Sequence, residues 1–155
     1  MKRFFKCFTW VGVLFFGIGQ LLMAQPADPN LPLKNDESVR YGKLPNGLTY
    51  YIQHNAKPEQ RAEFYFVADV GAIQETPAQD GLAHFLEHMA LNGSKNLPGK
   101  MMLDYFRTIG VEFGRNINAG TGIEQTSYMF NNIPVHRQGI IDTAMLALHD
   151  YCAFV

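Results

Sequence analysis

Cysteine is nearly missing from this chain: there are two among 155 residues. Cys7 falls in the first apolar segment and does not stand at a lipoprotein-type cleavage position, which leaves Cys152 alone. A disulfide framework within the chain is therefore excluded. Cys152 reads as a buried apolar residue of a helix rather than a reactive thiol. Excess charge is lacking too. Thirteen Lys and Arg stand against 14 Asp and Glu, a net charge of −1, and no basic stripe runs along the chain. That excludes an electrostatic grip on nucleic acid. No uninterrupted apolar stretch reaches the ~20 residues that span a bilayer, so no stable membrane span is expected. Internal repeats and low-complexity tracts are absent as well. What is plentiful is apolar material: 47% of residues are hydrophobic and 13% aromatic. That suits one packed domain and argues against wholesale disorder.

The chain opens with a leader. Lys2, Arg3 and Lys6 form a basic start, residues 7–19 carry no charge, and Ala24 offers a small residue for cleavage. This is the layout of a secretory signal peptide over residues 1–24. The competing reading, a membrane anchor, is weakened by Gln20, which interrupts the run. Export to a periplasmic or extracellular location follows as an expectation. Residues 25–38, polar and Pro-rich, read as a linker.

The rest, residues 39–155, shows alternating strand and helix signals. Residues 39–44 and 48–53 are strand-like and flank Pro45-Asn46-Gly47, a hairpin signal. Residues 62–70 form a third strand, with Phe64, Phe66, Ala68 and Val70 on one face. Thr76-Pro77-Ala78-Gln79 resembles a capping box, with Asp80 as a rival cap, for a helix running to about Asn92. A second helix is expected over 98–109, strands over 111–119 and 125–132, and a last helix from Pro134. In that helix Ile140, Ile141, Met145, Leu148 and Cys152 align. No stop signal follows it, so the sequence is expected to be incomplete at its C-terminus. The fold class expected is α+β: an antiparallel or mixed sheet with helices packed on one face.

The chemistry concentrates on the first helix. Leu82, Phe85, Leu86 and Met89 make an apolar stripe, read as facing the core. His84, Glu87 and His88 fall on the other side. Side chains four apart stack one turn above the other. Two imidazoles so placed can share one Zn²⁺ at about 2.0–2.1 Å each. Glu87 flanks the same face, near enough to reach a water on the metal but poorly placed to be a ligand beside His88. A zinc-bound water has a pKa near ~7, and an adjacent carboxylate can take its proton. The same three residues by themselves would also suit a solvated helix face.

The surroundings go further. His84-Phe85-Leu86-Glu87-His88 is an H-x-x-E-H motif. It lies within Gly81-Leu82-Ala83-His84-Phe85-Leu86-Glu87-His88-Met89 and is followed by Gly93-Ser94-Lys95. Gly71 and Glu75 precede it, and Asn118-Ala119, Thr121, Thr126 and Tyr128 come after. In that order these residues resemble the insulinase-like zinc peptidases, the inverzincin family of pitrilysin, insulin-degrading enzyme and the mitochondrial processing peptidase. The resemblance implies a zinc endopeptidase with His84 and His88 as ligands and Glu87 as general base. It implies that Asn118 and Ala119 lie on an edge strand that pairs with a peptide or unfolded polypeptide substrate. It also implies a third ligand, a Glu, beyond Val155, and a second homologous half or subunit to close the cleft. On this reading the fragment by itself is expected to be inactive. Glu112, Glu124, Asp142 and Asp150 come too early to match the third ligand. Gly120 and Gly122 depart from the family's strand and loosen it. A non-catalytic subunit or peptide-binding protein on the same fold is the alternative; retention of all three motif residues favours the enzyme.

Overall fold

The computed structural model describes residues 31 and 34–153. The expected signal peptide and most of the linker lie outside these residues. The described chain divides into two compact units, the first ending at His54 and the second beginning at Asn55.

In the first unit β1 (Val39–Lys43) and β2 (Thr49–Gln53) form an antiparallel hairpin, with Val39 opposite Gln53 and Lys43 opposite Thr49. The turn follows from its residues. Gly47 takes φ +95°, and Asn46 Oδ1 accepts the Leu48 N–H at 3.1 Å. The rings of Tyr41 and Tyr51 stack across the two strands with centroids 6.3 Å apart.

The second unit is a three-stranded antiparallel sheet with three helices. The strands are β3 (Arg61–Ala68), β4 (Ile117–Thr121) and β5 (Thr126–Pro134), in the order β3-β5-β4. The helices are α1 (Leu82–Leu91), α2 (Met101–Thr108) and α3 (Gln138–Ala153). Period-two alternation decides which face of the sheet they cover. Phe64, Phe66, Ile117, Ala119, Tyr128 and Phe130 belong to the core or pack against it, whereas Tyr65 and Val67 are exposed. Phe106 of α2 meets Phe130 edge-on at 5.5 Å, and Tyr151 of α3 lies 4.7 Å from Tyr128. Each fully buried ring of this kind contributes about 1.5–3 kcal/mol relative to exposure. The class is therefore α+β with helices on one face, as expected.

The connection from α1 to α2 is pinned from afar. Gly93 ends the α1 region at φ +133°, where an added Cβ would stand 2.3 Å from the Gly99 nitrogen. Asp150 of α3, wholly buried, then accepts from Ser94 Oγ at 2.6 Å, Asn96 N at 2.8 Å and Asn96 Nδ2 at 2.7 Å. Burial pushes its carboxyl up, but hydrogen bonds from Ser94, Asn96 and His149 outweigh that and hold it below the ordinary 3.8.

Several expectations need correction. The Thr76–Gln79 box closes a separate 3-10 turn, Pro77–Gln79, and α1 starts only after Gly81 at φ +81°. The expected strand from residue 111 begins at Ile117. Gly114, at φ +83°, turns the chain there, and its N–H bonds the Ile117 carbonyl at 2.8 Å. Pro134 ends β5 rather than starting α3. In α3 the buried residues are Ile140, Ala144, Ala147, Leu148, Asp150 and Tyr151, whereas Met145 and Cys152 are exposed. Val70 is exposed and lies beyond β3. The largest difference is in α1. Its supposed core stripe faces outward, with Leu82 51%, Phe85 61%, Leu86 51% and Met89 41% exposed. Glu87 and Ala90 are the buried residues instead.

Candidate metal centre

α1 carries the motif within its ten residues. Gly81 adopts the left-handed conformation that turns the chain into the helix, which a residue without Cβ does at no steric cost. The N–H groups at a helix start have no partner within the helix. Two of them here are taken by one side chain from outside: Glu75 accepts from Gly81 N and from Ala83 N, each at 2.7 Å.

One turn further, His84 Nε2 and His88 Nε2 stand 3.1 Å apart, with ring centroids 4.8 Å apart. Two nitrogens at bonding distance from one tetrahedral Zn²⁺ are separated by about 3.3 Å. The pair is thus already spaced for a shared ion, and the donor set, two imidazoles with a carboxylate beside them, suits zinc. Glu87 Oε2 lies 3.9 Å from His84 Nε2. The two histidines are exposed, while Glu87 is only 5% exposed. Glu87 Oε2 accepts from Thr121 Oγ1 of β4 at 3.4 Å, and Thr121 Oγ1 in turn lies 3.4 Å from Thr126 Oγ1 of β5. Beneath it, burial pushes the Tyr128 hydroxyl pKa up, and the nearby Glu87 adds to this.

The structure brings His84, Glu87 and His88 together, with ligand atoms all within 4.8 Å. No other such group of His, Cys, Asp and Glu occurs among the described residues. Asp150 is committed to the 94–96 connection, and Glu124 does not join the group. The third ligand expected beyond Val155 lies outside the described residues.

Asn118 and Ala119 lie on β4, which is an edge strand of the three-stranded sheet. Ala119 N–H is bound by Asn118 Oδ1 at 3.0 Å, so this donor points away from the ladder, toward the open edge. A cleft of about 340 Å³ separates the start of α1 from the end of β4. Its walls include Glu75, Asp80, Gly81 and His84 on one side and Thr121, Gly122 and Ile123 on the other. Sequence reasoning gave Glu75 and Thr121 no role. Their contacts are to residues that the chain order leaves distant or that no periodicity connects.

Comparison with known proteins matches residues 50–153 to the insulinase family, peptidase family M16. A probable zinc protease PqqL of Haemophilus influenzae is 38% identical over 120 residues, covering 76% of this chain and 13% of that protein. Its Escherichia coli counterpart is 35% identical over 108 residues, covering 70% of this chain and 12% of that protein. The crystal structure of the first half of the periplasmic protease PqqL from Escherichia coli superposes with a TM-score of 0.73 at 32% identity. The match covers 79% of this chain and 26% of that one. The chain thus spans about an eighth of the length of the curated relatives it matches.

Proposed function

The chain belongs to the insulinase family, peptidase family M16, and from that premise we propose that it is the metal-bearing N-terminal part of a zinc endopeptidase. The observation that carries this reading is the 3.1 Å spacing of His84 Nε2 and His88 Nε2 beside a buried Glu87. His84 and His88 hold Zn²⁺, and a third ligand comes from a Glu beyond Val155. When bound, the ion supplies a water acidic enough to give up a proton near neutral pH and polarises the scissile carbonyl.

The chain's own residues do the rest. Glu87 takes the proton of the attacking water at its carboxylate and delivers it to the leaving amine. Thr121, donating to Oε2, fixes how that carboxylate points. A substrate strand added to the β4 edge pairs with Ala119, which requires the Asn118 side chain to leave the Ala119 N–H. Such pairing reads peptide backbone and suits extended or unfolded polypeptide. A second homologous half closes the cleft. The protein is exported; the leader signal supports this, as does the periplasmic location given for the Escherichia coli relative.

The test uses the full-length protein that carries this segment. Glu87→Gln should keep zinc and lose peptide hydrolysis, while His84→Ala and His88→Ala should lose both. Near-normal turnover by Glu87→Gln would remove Glu87 as the base.

A further inference from the structure

We infer that Glu75 is a positioning residue that sets where the histidines of α1 stand relative to the open edge of β4; this rests on the metallopeptidase reading above. Glu75 lies outside the helix, beyond the Pro77–Gln79 turn, yet both of its carboxylate oxygens are spent on the helix start. One of the two N–H groups it holds, that of Ala83, belongs to the residue immediately before His84.

A cap from the neighbouring residue would satisfy the same donors and tie the helix to nothing else. Glu75 does more, because its own segment is fixed to the strand. Ala72 N donates to the Gly122 carbonyl at 3.1 Å and Ile73 N to the Ile123 carbonyl at 2.8 Å, just past β4. Gln74 Oε1 folds back onto Gly71 N at 2.8 Å. The approach leaves no space: a Cβ on Gly71 would lie 2.5 Å from the Gly122 oxygen. A continuous series of short contacts therefore runs from the end of β4 through residues 71–75 to the residue preceding His84.

The second tie between α1 and β4 is the 3.4 Å contact of Glu87 with Thr121. Two ties one helical turn apart, at residues 83 and 87, fix both the height and the rotation of the helix over the strand. A partner bonded directly to a metal ligand typically accounts for about 10–100-fold in metal affinity or activity; Glu75 acts one step further out, through the backbone before His84. The Glu75 charge also sits at a helix N-terminus, where an anion is favoured.

The experiment is Co²⁺ binding to the full-length protein, with Co²⁺ as a visible probe of the site. Glu75→Gln preserves size but sets an amide NH₂ against one of the two N–H groups. We expect Co²⁺ affinity about tenfold weaker, the low end for partners that touch a ligand directly, shifted visible absorption bands, and in peptide cleavage a fall in kcat larger than any rise in KM. Glu75→Asp should restore part of the affinity. Gly71→Ala attacks the same link from its strand end, leaving Glu75 intact, and should shift the same bands. A purely structural role for Glu75 predicts a lower melting temperature with unchanged Co²⁺ affinity and spectrum, and that result overturns the inference. So does an unshifted spectrum in folded Gly71→Ala. If the parent protein itself takes up no Co²⁺ that His84→Ala abolishes, the metallopeptidase reading falls and this inference with it. Parental binding with unaltered Glu75 variants sinks the inference alone.

Discussion

Replacing Asp150 by Ala removes the acceptor for three donors of the 94–96 connection at once: Ser94 Oγ, Asn96 N and Asn96 Nδ2. A buried donor left without a partner costs about 1–3 kcal/mol. Ser94 is half-buried and Asn96 exposed, so water recovers part of that loss. The net cost to the 93–97 connection should be about 3 kcal/mol, toward the low end of three such losses. Tenfold in an equilibrium constant corresponds to about 1.4 kcal/mol, so local opening should rise by about two orders of magnitude. Hydrogen exchange read by mass spectrometry on the peptide containing residues 93–97 measures this directly. Asp150→Asn retains one acceptor oxygen and should lose roughly half as much. The pH dependence has a definite sign. The folded carboxyl is held below its ordinary 3.8. Its contribution is therefore complete above that value and is lost as pH falls through the folded value. Exchange, corrected for its intrinsic rate, should accelerate in acid in the parent and not in Asp150→Asn. A change below threefold in Asp150→Ala would show that other contacts hold the connection and refute the argument.

Phe106 is fully buried against Phe130, so Phe106→Ala should cost about 3–5 kcal/mol by denaturant unfolding, against less than 1 for an exposed site. Mass spectrometry of the exported protein should find Gln25 at the N-terminus; an intact Met1 on membrane-bound material would contradict the signal peptide. The segment 25–155 made alone should bind zinc weakly by calorimetry and lose it readily to chelators, because two histidines are not a full ligand set. It should also bind a hydrophobic dye, since Leu82, Phe85, Leu86 and Met89 are exposed, and Phe85→Ser with Leu86→Ser should reduce that binding. Tight stoichiometric zinc with chelator-sensitive hydrolysis would place a third ligand within the segment.

Much of the architecture was legible in the residue order. Asn46-Gly47 marked the hairpin, and the alternation of Phe64 and Phe66 marked the face of β3. The spacing of His84 and His88 alone placed two imidazoles on one side of a helix, because the helical repeat is a local property of the backbone. What failed was the choice of buried face. In α1 the large apolar residues are exposed while Glu87 and Ala90 are buried; in α3 Ala144 and Ala147 are buried beside Ile140, Leu148 and Tyr151, while Met145 is exposed. Periodicity gives a helix its stripes, but only the element packed against it decides which stripe is covered. Side-chain size misleads where a helix lies close to a sheet.

The boundary between chain and fold runs through the site itself. The His84–Glu87–His88 set was decided locally, by residues within one turn of each other. Glu75, reaching Ala83 eight residues on, and Asp150, reaching Ser94 across 56 residues, acquired their roles only in the folded molecule. Their acceptor oxygens recognise backbone, hydroxyl or amide donors of kinds that recur along the chain. Only the three-dimensional packing selects which donors come within 2.8 Å.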